Sequence, residues 1–176
     1  MLHRTKADQV VPVYQEFIKN YPDIDSLAKA DEIEISKVTA HLGLHWRSSH
    51  FIQSARYIDE NYSRELPDNR EELLKIPGVG DYIAGAILTV CFNKSEYVVD
   101  SNIARFINRY FDLKLNGEIR RKKKIIELAK DLFNYKNTRN LLFALLDFTE
   151  SICKPTKPAC ENCALNKNCK YFLNYA

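Results

Sequence analysis

Four of the five cysteines crowd into one short stretch, CKPTKPACENCALNKNC, as Cys153, Cys160, Cys163 and Cys169 in the spacing C-x6-C-x2-C-x5-C. Thiolates are strong ligands for soft metals, and a loop broken by Pro155 and Pro158 can turn all four toward one centre. Zinc also accepts four cysteines, usually as two C-x2-C pairs set well apart in sequence. Only one pair here has that form, and the two longer spacings suit a larger, cubane-like cluster. Spacing alone therefore ranks iron–sulfur first, zinc second and disulfides third. The fifth cysteine, Cys91 within IAGAILTVCF, reads as a small buried apolar residue.

A second chemical candidate is Asp100, in VVDSN, a stretch that begins eighteen residues after Gly80. A carboxylate ahead of SNIARFINRYF can cap a helix. A fixed carboxylate can also steady a developing positive charge or orient a water. The two uses are compatible.

The third candidate is the turn in LLKIPGVGDYIAGAIL. Pro77 ends one helical pattern, and Gly78 and Gly80 permit backbone angles that side chains disfavour. The peptide N–H groups of Gly78, Val79 and Gly80 can then point outward at the start of a second helix, where an anionic phosphate would be welcome. An ordinary helical hairpin with a glycine turn has the same pattern. Ala84, Gly85 and Ala86 give the second helix a small-residue face for close packing.

These residues need helices to hold them, and the periodicity is helical nearly throughout. Val10, Val13, Tyr14, Phe17 and Ile18 form an amphipathic stripe that Pro22 closes. Further helices are expected over 26–41, 46–62, 69–76, 81–92, 101–110, 119–133 and 138–151. Gly43 is a C-terminal stop signal, and Asp68 with Glu71 has capping-box spacing. No alternating stretch supports a strand, so the expected fold class is all-α. The run Arg120, Arg121, Lys122, Lys123 and Lys124 reads as the solvated face of a helix, with a DNA patch as the less favoured use.

At 176 residues the chain suffices for one sizeable core or two small lobes. With 45% hydrophobic and 28% charged residues it has an ordinary globular composition, and a net charge of +3 argues against purely electrostatic, histone-like binding. No run of about 18 apolar residues suggests a membrane span. MLHRTKADQ lacks the apolar core of a secretory signal, so a cytoplasmic location is the default expectation.

Taken together, IPGVG-x-x-x-A-G-A-I, then VVD-x-N, then this cysteine spacing resemble the helix-hairpin-helix DNA glycosylases of the endonuclease III superfamily. The resemblance runs from residue 1 to about 170, nearly the whole chain. It implies a two-lobed fold: a helical barrel over 5–110 carrying a hairpin at 69–92, and an iron–sulfur domain over 111–176. It also implies a [4Fe–4S] cluster on Cys153, Cys160, Cys163 and Cys169. Asp100 matches the family's catalytic aspartate, Asn102 a polar positioning residue, and Lys154 and Lys157 a phosphate-contacting loop. Arg4 in LHRT and Leu44 in LGLH match the residues wedged into the duplex, although Leu44 suits core packing equally well. The implied partner is double-stranded DNA with a mismatched or damaged base, met by a monomer at the nucleoid.

One position sorts the subfamilies. Members that also nick the strand carry a lysine where this chain has Tyr82, so no amine is available for a Schiff base and a monofunctional enzyme is expected. Tyr82 would line the base pocket, unless it is buried as a core aromatic. Tyrosine with aspartate resembles the glycosylases acting on thymine or uracil opposite guanine. Adenine glycosylases, acting on A opposite G or 8-oxoguanine, are the rival. Two departures stand out: Asp81 replaces the usual Lys or Arg, and a glutamate of the family's N-terminal lead-in is absent before Met1. A working protein longer than this start is therefore expected. If the chain is complete, a catalytically weak DNA-binding relative is the alternative. A hairpin-only DNA-binding module and a structural or redox iron–sulfur protein are the non-enzyme alternatives.

Overall fold

The computed structural model describes Met1, Thr5 and residues 7–43 and 47–175. Arg4 and Leu44 lie outside the described residues. Among those described, the regular structure is helical throughout, with no strand. No helix among them is long and apolar enough to cross a membrane.

The chain divides into two compact units, Met1–Gly80 and Asp81–Ala176.

The first unit contains α1 (Ala7–Asn20), α2 (Ile24–Ala28), α3 (Glu32–Thr39), α4 (Arg47–Tyr62) and α5 (Arg70–Leu73), and the first four meet at a core of Phe17, Ala30, Ile35 and Ile52. Phe17 sets its ring 5.2 Å from those of Tyr21 and Phe51. Burying a side chain such as Ile35 contributes roughly 1.5–3 kcal/mol. The single helix expected over 26–41 is two helices. Asp31 interrupts it, because its carboxylate caps α3 by accepting from the Ile33 and Glu34 amides. The cap of α5 is also displaced from expectation: Asn69, one residue beyond Asp68, accepts from the Glu72 amide at 3.0 Å. Gly43 ends its helical turn with a left-handed φ of 69°, as the sequence suggested.

The second unit contains α6 (Asp81–Val90), α7 (Ser101–Tyr110), α8 (Lys123–Leu132), α9 (Thr138–Ser151) and α10 (Lys170–Tyr175). Its core joins Val98, Val99, Ile103, Ala104, Phe106 and Ile107 to Ile125, Ala129, Phe133, Leu142 and Leu145. Here α7 packs on α8, α9 and α10, and α6 packs on α9. The helix expected from 119 starts at Lys123, after a turn in which Gly117 takes a φ of 73°. Cys91 lies just past the end of α6 and is exposed, not buried, because the apolar face of α6 ends with that helix.

Candidate active site

Asp100 is fixed from both sides. Val98 and Val99 before it and Ile103 and Ala104 after it are core residues, so the backbone at Asp100 has little freedom. Its carboxylate caps α7: Oδ1 accepts the amides of Asn102 at 2.9 Å and Ile103 at 2.7 Å. Both bonds fall on one oxygen. Among the described residues no hydrogen bond reaches Oδ2, which leaves half of a rigidly held, half-buried carboxylate free to face a reacting group.

Tyr82, in the first turn of α6, keeps 40% of its surface exposed, so it is not a core aromatic. Burial of its hydroxyl, and secondarily the negative charge of Asp100, push its pKa above the ordinary tyrosine value. The hydroxyl is therefore held in its neutral form, able to donate.

Asn102 and the cysteine loop are joined by a residue that sequence inspection did not single out. Arg105 donates through Nη1 to Asn102 Oδ1 at 2.7 Å. Its Nε and Nη2 donate to the Cys153 carbonyl at 3.0 and 2.8 Å, and Nη2 also reaches the Thr149 carbonyl at 2.9 Å. Burial pulls the guanidinium below its ordinary pKa, and the negative groups of Cys153 and Asp100 oppose that pull. One turn on, Arg109 donates to the carbonyls of Lys154 at 2.6 Å and Pro155 at 2.9 Å. Its Nη1 lies 3.7 Å from Cys153 Sγ, and its guanidinium stacks 5.1 Å from the Tyr171 ring centre. Asn102, Arg105 and Arg109 follow i, i+3, i+7 spacing on one face of α7, the signal that could have found them.

All four C-terminal cysteines line one pocket, partly open to solvent, together with Phe106, Tyr110, Phe148 and Tyr171. None is in a disulfide. Among the described residues, no three of His, Cys, Asp and Glu gather tightly enough to hold a metal ion. Donors for the sulfurs are in place: Arg109 faces Cys153 Sγ, and the Leu165 amide donates to Cys163 Sγ at 3.4 Å. Burial, followed by the neighbouring Cys153 and Cys169, raises the Cys160 thiol above its ordinary value. Thiols that oppose one another's ionisation suit a site completed by positive metal charge. Four thiols around one pocket, with donors beside two of the sulfurs, are chemically suited to an iron–sulfur cluster. Lys154 and Lys157 are exposed, with Lys157 at a left-handed φ of 48°.

In the first unit, the glycines of the hairpin turn do different work. Gly78 takes a φ of 79°, and a Cβ there would lie 3.1 Å from His50 Cβ. Gly80 does not adopt a left-handed conformation, and an added Cβ would meet nothing within 4 Å. The turn is anchored by Ser54, whose Oγ lies 2.6 Å from the carbonyls of both Pro77 and His50, and by the Val79 amide, which donates to Ile76 O at 3.0 Å. Val79 is half-buried and both glycines are exposed.

The helix-hairpin-helix motif matches residues 61–90. A thymine/uracil-DNA glycosylase of Methanothermobacter thermautotrophicus is 34% identical over 173 residues, covering 98% of this chain and 78% of the relative. An adenine DNA glycosylase of Buchnera aphidicola is 32% identical and covers 99% of this chain, which spans only 49% of that relative. A solved thermostable thymine-DNA glycosylase superposes with a TM-score of 0.88 at 35% identity, over 98% of this chain and 80% of that one. A trapped endonuclease III–DNA covalent intermediate shares the fold at a TM-score of 0.80 and 20% identity, over 98% of this chain and 80% of that one. The chain belongs to the helix-hairpin-helix DNA glycosylases of the endonuclease III superfamily.

Proposed function

We propose that this chain is a monofunctional base-excision glycosylase that hydrolyses the N-glycosidic bond of thymine or uracil mispaired with guanine. The observation that carries the proposal is Asp100, locked by its cap bonds with one oxygen free, close enough to Tyr82 for its charge to raise that hydroxyl. The kinship with thymine/uracil glycosylases supports the choice of base.

Cleaving a base from deoxyribose develops positive charge on the sugar, as in glycoside hydrolysis. Asp100 Oδ2 would face that charge, steady it, and orient or deprotonate the attacking water. Asn102, held by Arg105, would position the sugar or the water. Tyr82 would line the base pocket as a neutral donor and stacking surface. With tyrosine where a lyase carries its amine, the abasic product would leave without a Schiff base. Extruding the base costs a few kcal/mol, less for a mismatched one, which favours wobble-paired thymine over paired thymine.

The peptide groups of Gly78, Val79 and Gly80, with Lys154 and Lys157, would hold the phosphates, and the chain would act as a monomer on duplex DNA. Cys153, Cys160, Cys163 and Cys169 would hold a [4Fe–4S] cluster. When bound, the cluster supplies a covalent cross-link that fixes the loop carrying the two lysines.

The decisive experiment is single-turnover cleavage of labelled duplexes containing T·G, U·G, A·G and A opposite 8-oxoguanine, with and without alkali. Strand breaks at T·G or U·G only after alkali are expected. Breaks confined to the adenine duplexes would transfer the assignment to adenine glycosylase, the reading favoured by the Buchnera relative. The cluster is checked separately: iron and acid-labile sulfide in equal amounts are expected in the purified protein. Zinc in their place would overturn it.

A further inference from the structure

The five consecutive cations Arg120 to Lys124 do little for the fold. Arg120 is half-buried and clamped by Glu118: Nε donates to Oε1 at 2.8 Å and Nη2 to Oε2 at 2.5 Å, while the Arg120 amide donates to Oε1 at 3.2 Å. The clamp fixes both the side chain and the turn that follows Gly117. The next four residues are all exposed. Lys123 reaches Glu127 only at 3.9 Å with its side chain 92% exposed, and among the described residues no ion pair reaches Arg121, Lys122 or Lys124.

Nor do they help the helix they start. Lys122 caps α8 without a side-chain bond, and the first turn holds no acidic residue. Cations there oppose the helix dipole. A sequence that accepts such a cost, with one neighbouring acid spent on fixing the first cation, has a use for the charge outside the fold.

Two features identify the partner. The run concentrates more positive charge than the whole chain's net +3. The helix that these cations begin, α8, also packs on α7, the helix that Asp100 caps, so the run and the carboxylate belong to adjoining elements of one unit.

We propose that Arg121, Lys122, Lys123 and Lys124 form a second contact with the DNA backbone, oriented by the Glu118–Arg120 clamp and separate from the hairpin and the cysteine loop. This rests on the glycosylase reading for the presence of duplex DNA near Asp100. The contact would be with phosphates, carry no base specificity, and add to affinity through release of counterions.

The test is equilibrium binding of an undamaged duplex by fluorescence anisotropy across a salt series. It compares wild type, a variant with Arg121→Gln, Lys122→Gln, Lys123→Gln and Lys124→Gln, and a control with Lys136→Gln and Arg139→Gln. Each lost phosphate contact lowers the slope of log K against log salt by about 0.9. The quadruple variant is expected to lose about 2 or more from the slope and to bind at least tenfold more weakly at low salt, with the control unchanged. Wild-type binding with an unaltered quadruple variant, or equal losses in the control, would overturn the second contact and leave the glycosylase reading standing. A wild type that binds no duplex would overturn the reading beneath it. Thermal melts of both variants guard against misfolding.

Discussion

Replacing Asp100 by asparagine separates its two tasks. The cap uses one oxygen, which accepts amides at 2.9 and 2.7 Å. Asparagine offers the same carbonyl acceptor and ranks with aspartate as an N-cap, so the α7 terminus should lose no more than about 0.5 kcal/mol. What changes is the other half of the group. Where the free oxygen carried negative charge, asparagine places an amide N–H2, a donor whose positive end faces the developing cation. Removing one preorganised electrostatic partner typically costs about 10²- to 10³-fold, or 2.7–4 kcal/mol of barrier. Alanine at the same position should lose comparable activity and about 1 kcal/mol of stability as well, because both amides are left without the cap. The assay pairs single-turnover release of thymine from T·G duplexes with thermal melts and duplex affinity for wild type, Asp100→Asn and Asp100→Ala. Expected for Asp100→Asn is a near-native melt, native affinity and the full rate loss. A loss smaller than about tenfold, or 1.4 kcal/mol of barrier, would mean that Asp100 is only a cap. A melt as low as that of Asp100→Ala would mean that the loss travels through the helix terminus.

Three other perturbations follow from the same geometry. Gly78→Ala forces a left-handed φ onto a residue with a Cβ 3.1 Å from His50 and should cost about 1–2 kcal/mol in urea unfolding. Gly80→Ala meets open space and should leave stability unchanged while weakening duplex binding several-fold, since the added methyl stands where a phosphate would approach. Arg105→Ala leaves the carbonyls of Cys153 and Thr149 and the side chain of Asn102 without their donor. At about 1–3 kcal/mol per stranded buried group, a loss of about 3 kcal/mol or more is expected in urea unfolding, and a near-native midpoint would show that the bridge is dispensable. Tyr62 donates to Glu72 at 2.7 Å, and that bond, followed by burial, raises its pKa from 10.0 to about 12. Because the folded value is the higher one, its stabilisation is fully present below pH 10 and is lost as pH rises toward 12. Melts of Tyr62→Phe should therefore converge with wild type over that window, and a constant difference would refute the assignment.

The parts of this molecule legible in its sequence are those whose meaning is local. The cysteine spacing lies within one loop, and Asp100 declares its cap through the two residues that follow it. Gly43 and Gly78 announce left-handed turns that the structure contains. Signals failed where local pattern and three-dimensional packing diverge. An unbroken apolar rhythm over 26–41 hid the interruption at Asp31, whose carboxylate competes for the backbone amides and starts a new helix. Gly80 looked like a conformational glycine, yet it takes no left-handed angle and an added Cβ would meet nothing within 4 Å, so the fold of the chain itself does not require a glycine there. The shared face of α7 could have singled out Arg105 and Arg109, but not what they hold, because those carbonyls are 44 to 48 residues away in the chain.

Those arginines change how the site should be understood. The carboxylate proposed as catalytic gains rigidity at no expense of charge, because the cap engages one oxygen and spares the other. Asn102 is two residues away, its amide in the same cap and its side chain in the Arg105 bridge to the Cys153 carbonyl. Arg109 then fixes the Lys154 and Pro155 carbonyls, the segment proposed to meet phosphate. One helix, α7, thus carries the carboxylate proposed to react at its N-terminus and on one face grips the loop that would hold the cluster and the DNA. A cluster on Cys153 would order the carbonyl that Arg105 grips, and through it Asn102. Cluster loss should therefore loosen the first turn of α7 as well as the cysteine loop. Hydrogen exchange at the Asn102 and Ile103 amides would register that coupling, whereas a cluster that merely staples its own loop would leave their protection unchanged.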